Sequence, residues 1–140
     1  MMMRKSRQDL VAVRPPVQKK TKIAILGGDE RAKVLLSLFC ELEDVEVVAV
    51  AHNDLSAPGM ALARRRHIPT LQHCRDLSEL DVDVIVETAG DGGLHACIAK
   101  CKPVAAELIS EQSAQLILSL LEAGKRGREQ EKLLTQLSEA

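Results

Sequence analysis

Four apolar residues ending on two glycines, Ile23-Ala24-Ile25-Leu26-Gly27-Gly28, narrow what this chain can fold into. A short apolar run closed by glycine fits a strand buried on both faces, as strands of a parallel sheet are. The glycines supply the unusual φ/ψ that a sharp exit from such a strand demands. Asp29 and Glu30 then place carboxylates where a helix dipole is positive. From Ala32 to Phe39 the apolar residues fall at helical spacing. Strand, glycine turn and helix together open a βαβ unit.

The alternation continues downstream. Val45 to Ala51 is dense in β-branched residues and predicts a second buried strand, followed by the polar loop His52-Asn53-Asp54. Ser56-Ala57-Pro58 predicts a helix start, with Ser56 as N-cap and Pro58 in the first turn. Arg64-Arg65-Arg66 suits its C-terminal end. Residues 68–71 predict a brief third strand, since Pro69 biases its neighbour away from helix. Residues 76–80 predict a helical turn, and Val82 to Thr88 a fourth strand with residues 89–93 as its loop. A helix is expected over 94–100 and a weak fifth strand over 103–107. From Ser110, where Ser110-Glu111-Gln112-Ser113 is similar to a capping box, the rest is helical. Gly124 and Gly127 weaken its middle, so it forms one long helix with a soft point or two helices.

This order implies an α/β fold: a doubly wound parallel sheet, helices on both faces, and a C-terminal helical extension. The expected division is a disordered basic tail over 1–20, the sheet domain over 21–122 and a C-terminal helix over 123–140. The tail is basic because seven Lys or Arg up to Lys22 face the single acid Asp9, while Pro15-Pro16 blocks helix formation.

Composition excludes several classes. The chain of 140 residues has a formal net charge of −1, and Phe39 is its only Phe, Tyr or Trp. That leaves nothing on which nucleic-acid bases stack, so nucleic acid is not an expected partner. No run approaches the ~20 apolar residues of a membrane span, and the basic N-terminus has no apolar core of a secretory signal. Cys40, Cys74, Cys97 and Cys101 are too few to scaffold a domain of this size, so reduced thiols and a cytoplasmic location are expected. His95, Cys97 and Cys101, with His73-Cys74, lack the tight Cys pairs of zinc sites and are not expected to hold metal.

In such sheets ligands sit at the carboxyl ends of the strands. The groups expected there are Gly27, Gly28, Asp29, Glu30, Arg31, His52, Asn53, Asp54, Glu87, Thr88, Gly90 and Asp91. The dinucleotide fingerprint requires Gly at three positions, which fall on Gly27, Asp29 and Ala32. Asp29 adds bulk and negative charge where pyrophosphate would approach bare backbone. Arg31 offers partial neutralisation. The acid that holds a ribose at the end of the second strand is replaced by His52, with Asp54 two residues on. NAD and NADP are therefore the cofactors to test.

Residues 21–122 resemble the NAD-binding Rossmann domain of the oxidoreductase superfamily that contains homoserine dehydrogenase, aspartate dehydrogenase and the glucose-fructose oxidoreductase family. Val47 to Ala51 and Val82 to Gly90 carry that resemblance. A closer one is to a Rossmann-like module attached to bacterial sensor proteins, beside PAS or histidine-kinase segments. It rests on Gly27 to Arg31, Ala57-Pro58-Gly59 followed by Ala61, Ile68-Pro69-Thr70 and Glu87 to Gly90. It implies a Rossmann-like fold without a catalytic partner domain, running into a signalling helix.

The expected function is thus a non-catalytic sensory or regulatory module, binding a nucleotide or small metabolite at the strand ends. The alternative is an NAD(P)-binding domain or subunit of an oxidoreductase, with Glu87, Asp91 and His95 as acid–base groups. The roughly 18 residues beyond the sheet are few beside the ~50 of a minimal substrate domain. Expected partners are a second copy through Leu116, Leu120, Leu133, Leu134 and Leu137 of the C-terminal helix, and a signalling protein.

Overall fold

A computed structural model describes residues 19–88, 98 and 100–139. Of the predicted 94–100 helix only Ile98 and Lys100 are among these residues, both helical; Gly90, Asp91 and nearly all of the basic tail lie outside them. Five parallel strands form one sheet: β1 (Thr21–Leu26), β2 (Val45–Ala51), β3 (Thr70–Leu71), β4 (Val84–Glu87) and β5 (Glu107–Ile109). Their spatial order is β3-β2-β1-β4-β5. Helix α1 (Glu30–Cys40) joins β1 to β2, and α2 (Pro58–Arg65) joins β2 to β3. A 3₁₀ helix (Cys74–Glu79) precedes β4, and α3 (Glu111–Glu139) follows β5. The fold is α/β and Rossmann-like, with the order reversing between β1 and β4.

The period of two along β1 divides the core. Ile23 and Ile25 face one side, where α1 packs Ala32, Leu35, Leu36 and Phe39, α2 packs Met60 and Ala63, and α3 packs Ala114. Ala24 and Leu26 face the other side, with Ile85, Leu77 of the 3₁₀ helix and Ile98. An irregularity between Ile23 and Ala24 lets Val48 bulge, which absorbs the extra residue of β2.

The structure shifts several expected boundaries. Strand β3 is only Thr70–Leu71, and β4 is Val84–Glu87 rather than 82–88. The fifth strand is Glu107–Ile109, not 103–107. Pro103 accepts a turn hydrogen bond from Ala106 N–H, so pairing with β4 starts only at Val84 and Glu107. Ser56 is not the cap of α2. Ala57 holds that position without a side-chain bond, and Ser56 instead donates its hydroxyl and N–H to Asp54 Oδ1. Only half of the expected capping box forms: Ser110 Oγ accepts from Ser113 N–H at 3.3 Å. Helix α3 is one continuous helix through Gly124 and Gly127.

Helix α2 ends in a Schellman turn. Ile68 N–H donates to Ala63 C=O at 2.8 Å and His67 N–H to Arg64 C=O at 3.1 Å. His67 takes the left-handed conformation there, φ 59°, where glycine is the unstrained residue. His67 is exposed, so its side chain adds little packing in return. The expected result for His67→Gly is a gain of about 0.5–1 kcal/mol, read as a higher urea midpoint at unchanged m-value.

Candidate functional site

The switch point of the sheet lies between the carboxyl ends of β1 and β4. There the chain leaves β1 through Gly27, whose φ of 125° only glycine adopts without strain. Gly27 N–H donates to Ala51 C=O at 2.8 Å, extending the β1–β2 pairing by one step. Gly28 follows, buried, and Asp29 caps α1 by accepting Ala32 N–H at 3.1 Å.

The turn is covered from the β2 side. Gly59 N–H, in the first turn of α2, donates to Gly28 C=O at 2.8 Å. A Cβ on Gly59 would meet that carbonyl oxygen at 3.0 Å, so glycine is what lets α2 come this near. The His52 side chain lies equally close: a Cβ on Gly28 would stand 2.8 Å from His52 Cδ2 and 2.9 Å from Cγ. His52 itself is fixed through its N–H to Leu71 C=O at 2.9 Å.

The remaining predicted groups are largely engaged within the chain. Thr88 is buried and gives both its N–H and its hydroxyl to Leu26 C=O, at 2.9 and 3.2 Å, stitching the exit of β4 onto β1. Glu87 is buried at the end of β4. Arg31, expected to offset Asp29, instead pairs with Glu111 Oε1 at 2.9 Å. That ties the first turn of α1 to the first residue of α3. Asp54 is exposed, and the Ser56 hydroxyl and N–H hold its carboxyl below the usual carboxylate range. Glu30 and Asn53 are exposed beside the turn. Gly27, Gly28, Asp29, Glu30, Arg31, His52, Asn53, Asp54 and Thr88 thus do gather at one end of the sheet. Gly90 lies outside the described residues.

No protein-family model and no curated protein matches this chain.

A dinucleotide does not fit these residues. The Asp29 carboxylate is already the anion at the positive end of α1, where a pyrophosphate would sit. Two unit charges at ~4 Å repel by about 4 kcal/mol at an effective dielectric of 20. The ring of His52 lies on Gly28, between the glycine turn and the end of β2, where the ribose of a dinucleotide is held in this fold. Among the described residues no group of three or more His, Cys, Asp or Glu is arranged to hold a metal ion. His95 and Cys97 lie outside those residues.

Sequence reasoning missed two concavities at the far end of the sheet. One, of about 740 Å³, lies between the α1–β2 turn (Glu41 to Asp44) and Lys125, Arg128, Glu129 and Lys132 of α3. The other, about 300 Å³, lies between α1 and Glu122, Lys125, Arg126 and Glu129. Both are open grooves lined by charges of both signs, with Lys125 paired to Glu41 at 3.4 Å. Nothing in the local sequence shows them, because each is made by elements some eighty residues apart.

Proposed function

We propose that this chain is a non-catalytic Rossmann-like regulatory module whose cofactor cleft is closed by its own residues. One observation carries the reading: His52 and Gly59 both lie on Gly28, so the surface that would receive a dinucleotide is occupied by side chain and helix. The Arg31–Glu111 ion pair supports a regulatory role, since it joins the first turn of α1, just after the glycine turn, to the start of α3. A small ligand at those loops would act on α3 through that pair. In this reading the module passes on a state rather than transforming a substrate.

The test is calorimetry with NAD and NADP, accompanied by a thermal-shift series. The expected result is no heat of binding, meaning a dissociation constant weaker than about 1 mM, and no rise in melting temperature. Micromolar binding of either dinucleotide would overturn the closed-cleft reading and favour an oxidoreductase domain instead. A small metabolite that raises the melting temperature of the wild type but not of Arg31→Ala would support coupling through the ion pair.

A further inference from the structure

Helix α3 has two faces that differ in what they touch. Ala114, Ile117, Leu118 and Leu121 pack on the sheet domain, and Lys125 reaches Glu41. At ~100° per residue these lie on one side of the helix. On the opposite side Leu116, Leu120, Leu134 and Leu137 are 61%, 64%, 64% and 71% exposed. Ala123, Gly127 and Gln130 continue the same row, also exposed. The row steps by four and three residues throughout. This is the spacing of the d and a positions of a heptad, with Leu120, Gly127 and Leu134 at a. A heptad row drifts slowly around a straight helix, which a left-handed supercoil corrects.

We propose that this row is the seam of a parallel two-stranded coiled coil with a second copy of the chain. The flanking charges select that occupant. In this register Arg126 is a g position and Glu131 the following e position, the pair that meets across a parallel coiled coil. Both are exposed, and neither has an ion-pair partner in its own chain among the described residues. A second copy therefore completes two symmetric Arg126–Glu131 pairs. An antiparallel pairing instead sets g against g and e against e, and so brings Arg126 to Glu131 in no register. Space permits the parallel pairing, because the sheet domain occupies the side of α3 away from the seam. The seam also runs beyond the domain: every residue of α3 from Arg126 to Ser138 is exposed. Small Ala123 and Gly127 at its centre make this a weak, reversible pairing. The inference is independent of whether the cleft takes a ligand.

Sedimentation equilibrium of the whole chain, from low micromolar to several hundred micromolar, tests it. The expected result is a reversible monomer–dimer equilibrium. Leu134→Glu/Leu137→Glu should abolish it while leaving the helical circular dichroism of the domain in place. Arg126→Glu and Glu131→Arg should each weaken dimerisation on the order of fivefold by setting like charges across the seam. The double change Arg126→Glu/Glu131→Arg should restore it. A chain monomeric at all concentrations overturns the proposal. So does a dimer indifferent to Leu134 and Leu137, or one that Glu131→Arg leaves unchanged, which would mean another surface or an antiparallel pairing.

Discussion

Leu35→Ala is expected to lower the unfolding free energy by about 3–4 kcal/mol, measured as a drop in urea midpoint at constant slope. Leu35 has no exposed surface and sits in the middle of α1. It lies in the cluster that joins Ile23 and Ile25 of β1 to Met60 of α2. Deleting its three terminal carbons removes the transfer energy and leaves a cavity the neighbours fill only in part. The sheet cannot collapse into the gap, because β1 is paired on both sides, to β2 and to β4. Domains of this size are stable by roughly 5–15 kcal/mol, so this loss is a large share of the total. Leu55, 47% exposed, makes the contrast: its replacement by Ala should cost about 0.5 kcal/mol or less. A Leu35→Ala midpoint within error of wild type would mean that α1 does not pack as described.

How legible this fold was depends on how local its causes are. Strand β2 reads from the sequence at both ends, since a run of β-branched residues bounded by Asp44 and His52 carries its own signal. The turn after β1 reads equally well, and so does an acid at the start of the helix, although that Asp29 caps it through Ala32 N–H emerges only in the structure. Ser56 reads as a cap in the sequence, but two local bonds compete for its one hydroxyl. Asp54, two residues back, closes a tight turn and takes it. The fifth strand was misplaced because Glu107-Leu108-Ile109 is too short to show a pattern, and only pairing with β4 defines it.

The candidate site divides along the same line. Its membership was legible, because strand ends in a parallel sheet converge whatever the side chains are. What its side chains do was not. Arg31 and Glu111 are eighty positions apart, and no local pattern joins them. Position 52 was legible as the end of the second strand, but not the resting place of its ring. Spacing places a residue at a strand end; contact with the glycine turn after β1, remote in sequence, decides where the side chain lies.

Gly28→Ala is expected to cost about 2–3 kcal/mol, and His52→Gly in the same chain should recover at least half of that cost. The new Cβ would stand 2.8–3.0 Å from Cδ2, Cγ and Cβ of His52, nearer than carbon atoms tolerate. Relief is hard to find. The contacts are with the base of the imidazole rather than a flexible tip, and His52 N–H is bonded to Leu71. Gly28 cannot retreat either, since its carbonyl is held by Gly59 N–H. Overpacking of this kind costs typically 1–3 kcal/mol. Removing the whole His52 side chain removes all three contacts, whereas His52→Ala keeps the Cβ and should rescue less. The double-mutant cycle therefore measures the contact itself, with an interaction energy above about 1 kcal/mol. Additive effects would mean that the ring does not lie on the glycine turn. The cleft would then be open on that side, and the strongest reason to deny it a ribose would be gone.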